Sequence, residues 1–311
     1  MITGIAGFAG SHLAELALRE GAAVAGTLLP GASAENLAGL GGLIRTIPCD
    51  LTEPGAVARV LEEVRPDRVF HLAGASVVGT SWARRAEVLR ANLDGTFQIL
   101  EGLRSVPAAC LVVSSAEVYG AVPEAAQPIG ETQPICPLSP YALSKACQEL
   151  YAGYYVRVEQ LPIVIVRAFN HVGPRQGPGF VWSDIARQIA AIQKGLGPPV
   201  LEVGTLTTRR DFTDVRDMVR AYWLLLDRAR PGEIYNAASG RAVMIREIVD
   251  GFLALAGCPI EVRPSPERVR PVDMPLLLGD ASRLRALTGW TSGIPLEQSL
   301  TDVLADWHQR V

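Results

Sequence analysis

The chain has 311 residues, with 29 Lys and Arg against 32 Asp and Glu, a net charge of −3, and it is 49% apolar and 20% charged. That near-balance excludes a nucleic-acid binder or a polybasic membrane reader, and the apolar content excludes wholesale disorder. At about 150 residues per domain the length predicts roughly two structural units, with a core large enough to need neither disulfide nor structural metal. The longest apolar runs fall far short of the about 18 residues of a membrane span. The amino terminus opens directly into a glycine-rich motif, leaving no room for a signal peptide. The five cysteines (Cys49, Cys110, Cys136, Cys147 and Cys258) are odd in number and form no CxxC pair. They read as reduced thiols of a cytoplasmic protein, and His12, His71, His171 and His308 are too dispersed for a metal site.

In chain order, the first signal is Thr3-Gly4-Ile5-Ala6-Gly7-Phe8-Ala9-Gly10, a GxxGxxG spacing that opens a helix. Glycines so placed permit a tight turn, close approach of backbone N–H groups to a pyrophosphate, and close helix–strand packing. Leu13, Leu16 and Ala17 then form a sheet-facing stripe. Only three residues precede Gly4, so the first strand is unusually short, consistent with a truncated or misassigned start. Further strands are expected at 22–28, 68–72, 109–113, 162–169 and 233–236, with helical periodicity at 55–64, 83–103 and 141–158. This alternation predicts an α/β fold, a Rossmann-type doubly wound parallel sheet. The second half is less regular, with a loop at 173–179, an amphipathic helix at 215–226 and a proline-rich stretch at 264–275. It is expected to supply a smaller, discontinuous C-terminal substrate-binding domain over the carboxyl ends of the strands. The expected division is 1–168, rejoined by 205–238, for the nucleotide-binding domain, and 169–204 with 239–311 for the cap.

At the end of the second strand stand Thr27-Leu28-Leu29-Pro30, with neither the acid that would bind ribose hydroxyls nor an Arg for a 2′-phosphate. NAD and NADP therefore both remain open. Asp50 reads either as an acceptor for the adenine amino group or as a helix cap. The sharpest local signal is Ser139-Pro140-Tyr141-Ala142-Leu143-Ser144-Lys145. A cap followed by proline starts a helix, so Tyr141 sits in its first turn with Lys145 on the same face. The lysine charge, the helix amino end and an oxidised nicotinamide are each expected to lower the phenol pKa toward the range of acid–base catalysis. Ser115, in Ser114-Ser115-Ala116-Glu117 at the end of the fourth strand, is placed to polarise the same carbonyl oxygen. Trp182, Trp223, Trp290 and Trp307 read as core or interface anchors.

GxxGxxG, a strand-end serine and YxxxK together resemble the extended short-chain dehydrogenase/reductase family of nucleotide-sugar epimerases, dehydratases and reductases. His71-Leu72-Ala73-Gly74, Asn92-Leu93-Asp94-Gly95-Thr96, Arg167-Ala168-Phe169-Asn170, Arg210-Asp211-Phe212-Thr213-Asp214-Val215 and Arg270-Pro271-Val272-Asp273 extend the likeness across the chain. Within the family, Asn170 to Gln176, the Arg209-Arg210-Asp211-Phe212 block and Gly279 to Leu284 look most like the reductases and 4,6-dehydratases of GDP-linked 6-deoxy-hexoses. The resemblance implies NADP or NAD bound by Gly4, Gly7, Phe8, Ala9, Gly10, Asp50, Leu51, Leu72, Ala73, Gly74, Tyr141 and Lys145. It implies a GDP-sugar held by Asn170, Arg175, Arg210, Arg270 and Asp273, and catalysis by Ser115, Tyr141, Lys145 and Glu117.

The expected reaction is reduction of a 4-keto group, giving a product such as GDP-D-rhamnose. Glu117 matches the base of the dehydratases, whereas Ala116 and the Asn170–Pro174 segment look more like the reductases, so a dehydratase or 4-epimerase is the alternative. A non-catalytic NAD(P) sensor on the same fold has no chemical need for Tyr141 and Lys145. By resemblance, helices 83–103 and 141–158 pair two copies into a homodimer.

Overall fold

The computed structural model describes residues 1–269 and 274–311. The chain begins with β1 (Ile2–Thr3), α1 (Phe8–Arg19), β2 (Val24–Leu28), β3 (Ile44–Pro48), α2 (Ala56–Val64) and β4 (Arg68–His71). It continues with the single turn α3 (Val78–Ser81), α4 (Arg85–Ser105), β5 (Ala109–Ser115), α5 (Pro140–Val158) and β6 (Ile163–Ala168). Next come β7 (Asn170–Val172), α6 (Val181–Gln193), β8 (Val200–Val203), β9 (Arg209–Asp214), α7 (Val215–Arg228) and β10 (Ile234–Ala237). The last elements are β11 (Ala242–Met244), α8 (Ile245–Ala256), β12 (Glu261–Pro264), β13 (Leu276–Leu277), α9 (Ser282–Thr288) and α10 (Leu296–Arg310).

Seven parallel strands form one sheet in the order β10-β6-β5-β4-β1-β2-β3. Alternation along the strands feeds two separate cores. Leu111, Val164 and Val166 join the face covered by α1 and α7, with Leu13, Leu16, Val219 and Leu225. Cys110, Val112, Ile163 and Ile165 join the opposite face, with Val57, Leu61, Ile99, Leu103 and Ala152 from α2, α4 and α5. A doubly wound α/β sheet follows from this two-sided burial. The order of strand addition reverses between β1 and β4, which opens a crevice at their carboxyl ends.

Two elements depart from the sequence expectation. Edge strand β3 carries Arg45, Thr46 and Pro48 toward solvent, so it lacks the apolar run that marks the central strands. The segment expected to return to the large sheet at 205–238 divides. Its helix α7 and strand β10 do join that unit, but β9 pairs with β7, β11 and β13 in a small sheet. Around it lies a third core from α6, α8 and α10, including Trp182, Ile185, Phe212, Phe252, Val303 and Trp307. No helix is among the sequence expectations for these three segments, although α6 and α8 each bury one apolar face.

One buried ion pair ties the sheet to α5. Arg167 Nε and Nη2 donate to Glu149 at 2.7–3.2 Å, the Ser114 hydroxyl donates to the same carboxylate at 2.5 Å, and Arg167 Nη1 reaches Tyr119 Oη at 3.0 Å. Both charged side chains are about 5% exposed. Removing one partner of such a pair strands the other charge. The Arg167→Met variant is accordingly expected to lose about 3–5 kcal/mol of stability, read as a fall in urea midpoint at unchanged slope; a loss below about 1 kcal/mol would contradict this account of the pair.

Candidate active site

The glycine-rich turn lies at the carboxyl end of β1. Gly4 has φ +68°, and a Cβ on it would meet the Ala73 backbone at 3.0 Å; a Cβ on Gly10 would lie 2.2 Å from the Gly4 carbonyl oxygen. Only glycine lets the turn, α1 and the end of β4 approach this closely. Gly7 caps α1 without any side-chain hydrogen bond, so the first N–H groups of the helix face a cavity rather than a capping side chain. That cavity has a volume of about 660 Å³. Its lining includes every residue expected to bind cofactor, from Gly4, Gly7, Phe8, Ala9 and Gly10 through Asp50, Leu51, Leu72, Ala73 and Gly74 to Tyr141 and Lys145. The arrangement fits a dinucleotide, with its diphosphate against the open helix end.

Asp50 is not a helix cap. One of its oxygens accepts from the Thr52 amide and hydroxyl at 2.9 and 2.8 Å, while α2 is capped by Gly55. Around it the cavity is lined by Thr27, Leu28, Leu29, Ala32 and Ser33.

Ser139 accepts from the Ala142 amide at 3.0 Å and Pro140 follows it, which starts α5 and brings Tyr141 into the first turn. Tyr141, Ser115, Glu117 and Lys145 line the same cavity, with Ser115 near enough to the phenol to act on its ionisation. Among the protein's own groups, burial dominates and opposes the expected lowering of the phenol pKa. Burial pushes Tyr141 up to about 12, opposed by Ser115 and reinforced by the negative charge of Glu117. Lys145 Nζ donates to the Val113 carbonyl at 2.8 Å and lies 5.9 Å from the Tyr141 ring centroid. Burial lowers its own pKa to about 8 against the pull of Glu149. Desolvation outweighs charge here because both groups sit in a dry crevice.

A buried polar chain joins the turn to the catalytic helix. Thr3 Oγ1 accepts from the Leu72 and Ala73 amides at 3.1 Å and pairs with His71 Nδ1 at 2.9 Å. With two donors already on that hydroxyl, its proton goes to Nδ1, which leaves His71 Nε2–H to donate to Thr96 Oγ1 at 2.9 Å. Thr96 donates to the Asn92 carbonyl at 2.7 Å, Asn92 donates to Ser144 Oγ at 2.8 Å, and Ser144 donates to the Tyr141 carbonyl at 2.7 Å. Complete burial holds His71 neutral, with a pKa lowered to about 3. The sequence named these residues only as motif matches and offered no sign of their connection.

The expected sugar-nucleotide residues divide. Asn170 lines the cavity. Arg175 does not: its guanidinium pairs with Glu15 and its amide donates to Asp306 at 2.9 Å, so it fastens the 173–176 loop to α1 and α10. Arg210 lies inside the small sheet, where Nη1 donates to the carbonyls of Arg209 and Met274 at 2.9 and 2.6 Å, and it too is absent from the lining. The surrounding block is a joint between layers. Asp211 accepts from the amides of Ser239, Gly240 and Gly279, Asp214 caps α7 and accepts from Ser299, and Asp217 accepts from the amides of Gly293 and Ile294. Arg270 and Asp273 lie outside the described residues. Gln176 and Trp182, which were not expected there, line the cavity beside Asn170; among the described residues Asn170 Nδ2, Gln176 Oε1 and Trp182 Nε1 are buried without a hydrogen-bond partner. Trp182, expected as a plain core anchor, starts α6 with its ring packed on Phe212 and Phe252.

The chain matches the model of a family described as GDP-mannose 4,6 dehydratase over residues 1–303. It is 36% identical to the GDP-6-deoxy-D-mannose reductase of Pseudomonas aeruginosa, over 100% of this chain and 97% of that protein. Among solved structures it is similar to RMD from Pseudomonas aeruginosa complexed with NADPH, with a TM-score of 0.84, 34% identity, and coverage of 100% and 99% of the two chains. It is also similar to the UDP-glucose 4-epimerase of Thermus thermophilus in complex with NAD, with a TM-score of 0.88, 30% identity, and coverage of 100% and 99%.

The neutral His71 has a consequence for acid stability. Folded His71 stays unprotonated down to about pH 3, whereas the unfolded chain takes up that proton near 6.5. Between those values the unfolded state binds more protons, so stability falls as pH drops below about 6.5. Urea midpoints measured from pH 7 to pH 5 are expected to decline, and His71→Asn is expected to show a shallower decline, by up to about one proton equivalent. An identical slope in the variant would place the acid-sensitive group elsewhere.

Proposed function

We propose a nucleotide-sugar 4-keto reductase: the chain belongs to the GDP-mannose 4,6 dehydratase family, within the extended short-chain dehydrogenase/reductases, and its site holds a proton donor in the protonated state. The substrate is a GDP-linked 6-deoxy-4-keto-hexose and the product a GDP-6-deoxyhexose such as GDP-D-rhamnose. The observation that carries this reading is the gathering of Tyr141, Ser115 and Lys145 on one cavity shaped for a dinucleotide, in a chain 36% identical over its whole length to a GDP-6-deoxy-D-mannose reductase.

When bound, a reduced nicotinamide supplies the hydride. Tyr141 gives its proton to the C4 oxygen as that atom gains negative charge, and Ser115 hydrogen-bonds the same oxygen. Lys145 holds the ribose of the dinucleotide, as a cation below about pH 8. Asn170 and Gln176, which line the cavity, are the side chains on the cap side where the sugar nucleotide would bind. The absence of a charged discriminator among Thr27, Leu28, Leu29 and Ser33 is compatible with either NADH or NADPH.

Glu117 favours a second reading. It lines the cavity and is close enough to Tyr141 for its charge to act on the phenol, the position a base for C5 proton removal needs in a 4,6-dehydratase. A dehydratase or epimerase regenerates its dinucleotide, whereas a reductase consumes it.

Exposed apolar side chains on α4 and α5, among them Phe97, Leu143, Leu150, Tyr151 and Tyr154, support pairing of two copies through these helices. The five unpaired thiols suit the cytoplasm. No helix among the described residues is long and apolar enough to cross a membrane.

Incubation with GDP-4-keto-6-deoxymannose and each reduced dinucleotide is expected to consume one dinucleotide per sugar; conversion without net consumption would replace the reductase by the second reading. Tyr141→Phe is expected to lower kcat by about 10²–10⁴-fold with little change in melting temperature, and near-normal turnover would remove Tyr141 as the donor. In the wild type, kcat/KM is expected to fall as pH rises through about 8, where Lys145 loses its charge. A profile that stays flat well above that pH would show that the charge is not needed.

A further inference from the structure

The segment from Asn170 to Gln176 carries a strained backbone that has no part in the chemistry above. Arg175 has φ +71°, a left-handed conformation that disfavours an ordinary side chain and suits glycine. Among the described residues Arg65 and Gln160 are the other non-glycine residues at positive φ, and each follows a helix, where a left-handed residue closes the last turn. Arg175 follows β7 and closes no helix. Strain of this kind persists only where the surrounding contacts over-determine it. Here the guanidinium pairs with Glu15 and reaches Ser11 Oγ at 3.4 Å, both on α1, while the amide donates to Asp306 on α10 at 2.9 Å. The neighbours are held as well. His12 Nε2 lies 3.0 Å from the Pro174 carbonyl, and the Gln176 carbonyl accepts from Ser183 at 2.8 Å and from Arg310 at 3.1 Å.

We infer that Arg175 is a positioning residue: its side chain latches segment 170–176 to α1 in a conformation the backbone opposes, and so holds the wall on which the sugar nucleotide binds. The inference rests on the sugar-nucleotide reading of the cavity. Asn170 and His171, both partly exposed, line that cavity. The His171 ring lies parallel to Phe8 of the glycine-rich turn, 5.7 Å between centroids, and its carbonyl accepts from Gln176 Nε2 at 3.1 Å. The wall is thus fixed at one end by Phe8 and at the other by the latch. The torsion at Arg175 sets the direction of Gln176 relative to Pro174, so a relaxed backbone there moves the side chain that grips His171. Arg175 was expected as a contact to the GDP-sugar; outside the cavity lining, it acts through Gln176 and His171.

The test compares Arg175→Ala, Arg175→Gly and Glu15→Ala in the full-length protein. Alanine keeps the strain without the latch, and glycine removes both. In the ligand-free proteins, backbone hydrogen exchange within 170–178 is expected to be fastest in Arg175→Ala and slower in Arg175→Gly. With GDP-4-keto-6-deoxymannose, the KM for the sugar is expected to rise about 10-fold in Arg175→Ala and about 2-fold in Arg175→Gly, because only alanine resists the left-handed backbone. Glu15→Ala, which keeps the strain and loses the latch, should approach Arg175→Ala. In all three, kcat and the affinity for reduced dinucleotide measured without sugar should stay within about 2-fold of wild type, a split that a general loss of stability does not produce. Equal KM values in the alanine and glycine variants overturn the strained latch, and so does unchanged exchange in Arg175→Ala. Dinucleotide affinity that falls as far as sugar affinity overturns the assignment to the sugar wall. Wild type that leaves this sugar unconverted overturns the sugar-nucleotide reading itself, and the positioning role with it, whatever the exchange shows.

Discussion

The hydroxyl of Thr3 carries more of this structure than its size suggests. It accepts the two amides at the end of β4 and gives its proton to His71, so the crevice at the reversal of strand order is held at a fixed width. From His71 the same hydrogen bonds run through Thr96, Asn92 and Ser144 to the first turn of α5. The glycine-rich turn and the first turn of α5 are therefore joined by one chain of hydrogen bonds, though Gly4 and Tyr141 lie far apart in sequence. Such a chain works only while every member is satisfied, because a half-paired buried network is worse than an apolar one. Burial keeps His71 neutral within it.

Burial also sets the protonation of the catalytic groups, in opposite senses for opposite charges. The Tyr141 phenol rises and the Lys145 ammonium falls from the same cause. A phenol that resists ionisation is a donor at rest and suits the reductive direction. Glu149 faces two ways in this scheme. It neutralises Arg167 within the core and pulls the Lys145 pKa back up. The ion pair that fastens α5 to the sheet thus also bears on the charge of the catalytic lysine.

The cap is organised by carboxylates more than by the arginines that stand out in the sequence. Asp211, Asp214 and Asp217 gather amides and hydroxyls from loops distant in the chain, and they orient the small sheet over the crevice. By resemblance Arg210, with Arg270, is expected to hold the sugar nucleotide. In the structure Arg210 Nη1 donates to the main-chain carbonyls of Arg209 and Met274. Arg175 likewise pairs with Glu15, because the 173–176 loop folds back on α1 and brings an acid within reach.

The sequence by itself determined what is local. Gly4, Gly7 and Gly10 dictate the turn through backbone sterics, Ser139 and Pro140 dictate where α5 begins, and the alternating Val, Ile and Leu of β5 and β6 dictate a sheet buried on both faces. Those features need only neighbours within a few residues, so spacing reveals them. Tertiary structure alone decided what depends on solvent exclusion and on partners from remote segments. The direction of the Tyr141 shift, the bonds of Arg210 to the carbonyls of Arg209 and Met274, and the pairing of Arg175 with Glu15 are of this kind. Each is set by how much water the folded crevice removes and by which groups it leaves facing one another, and neither quantity is written in residue order.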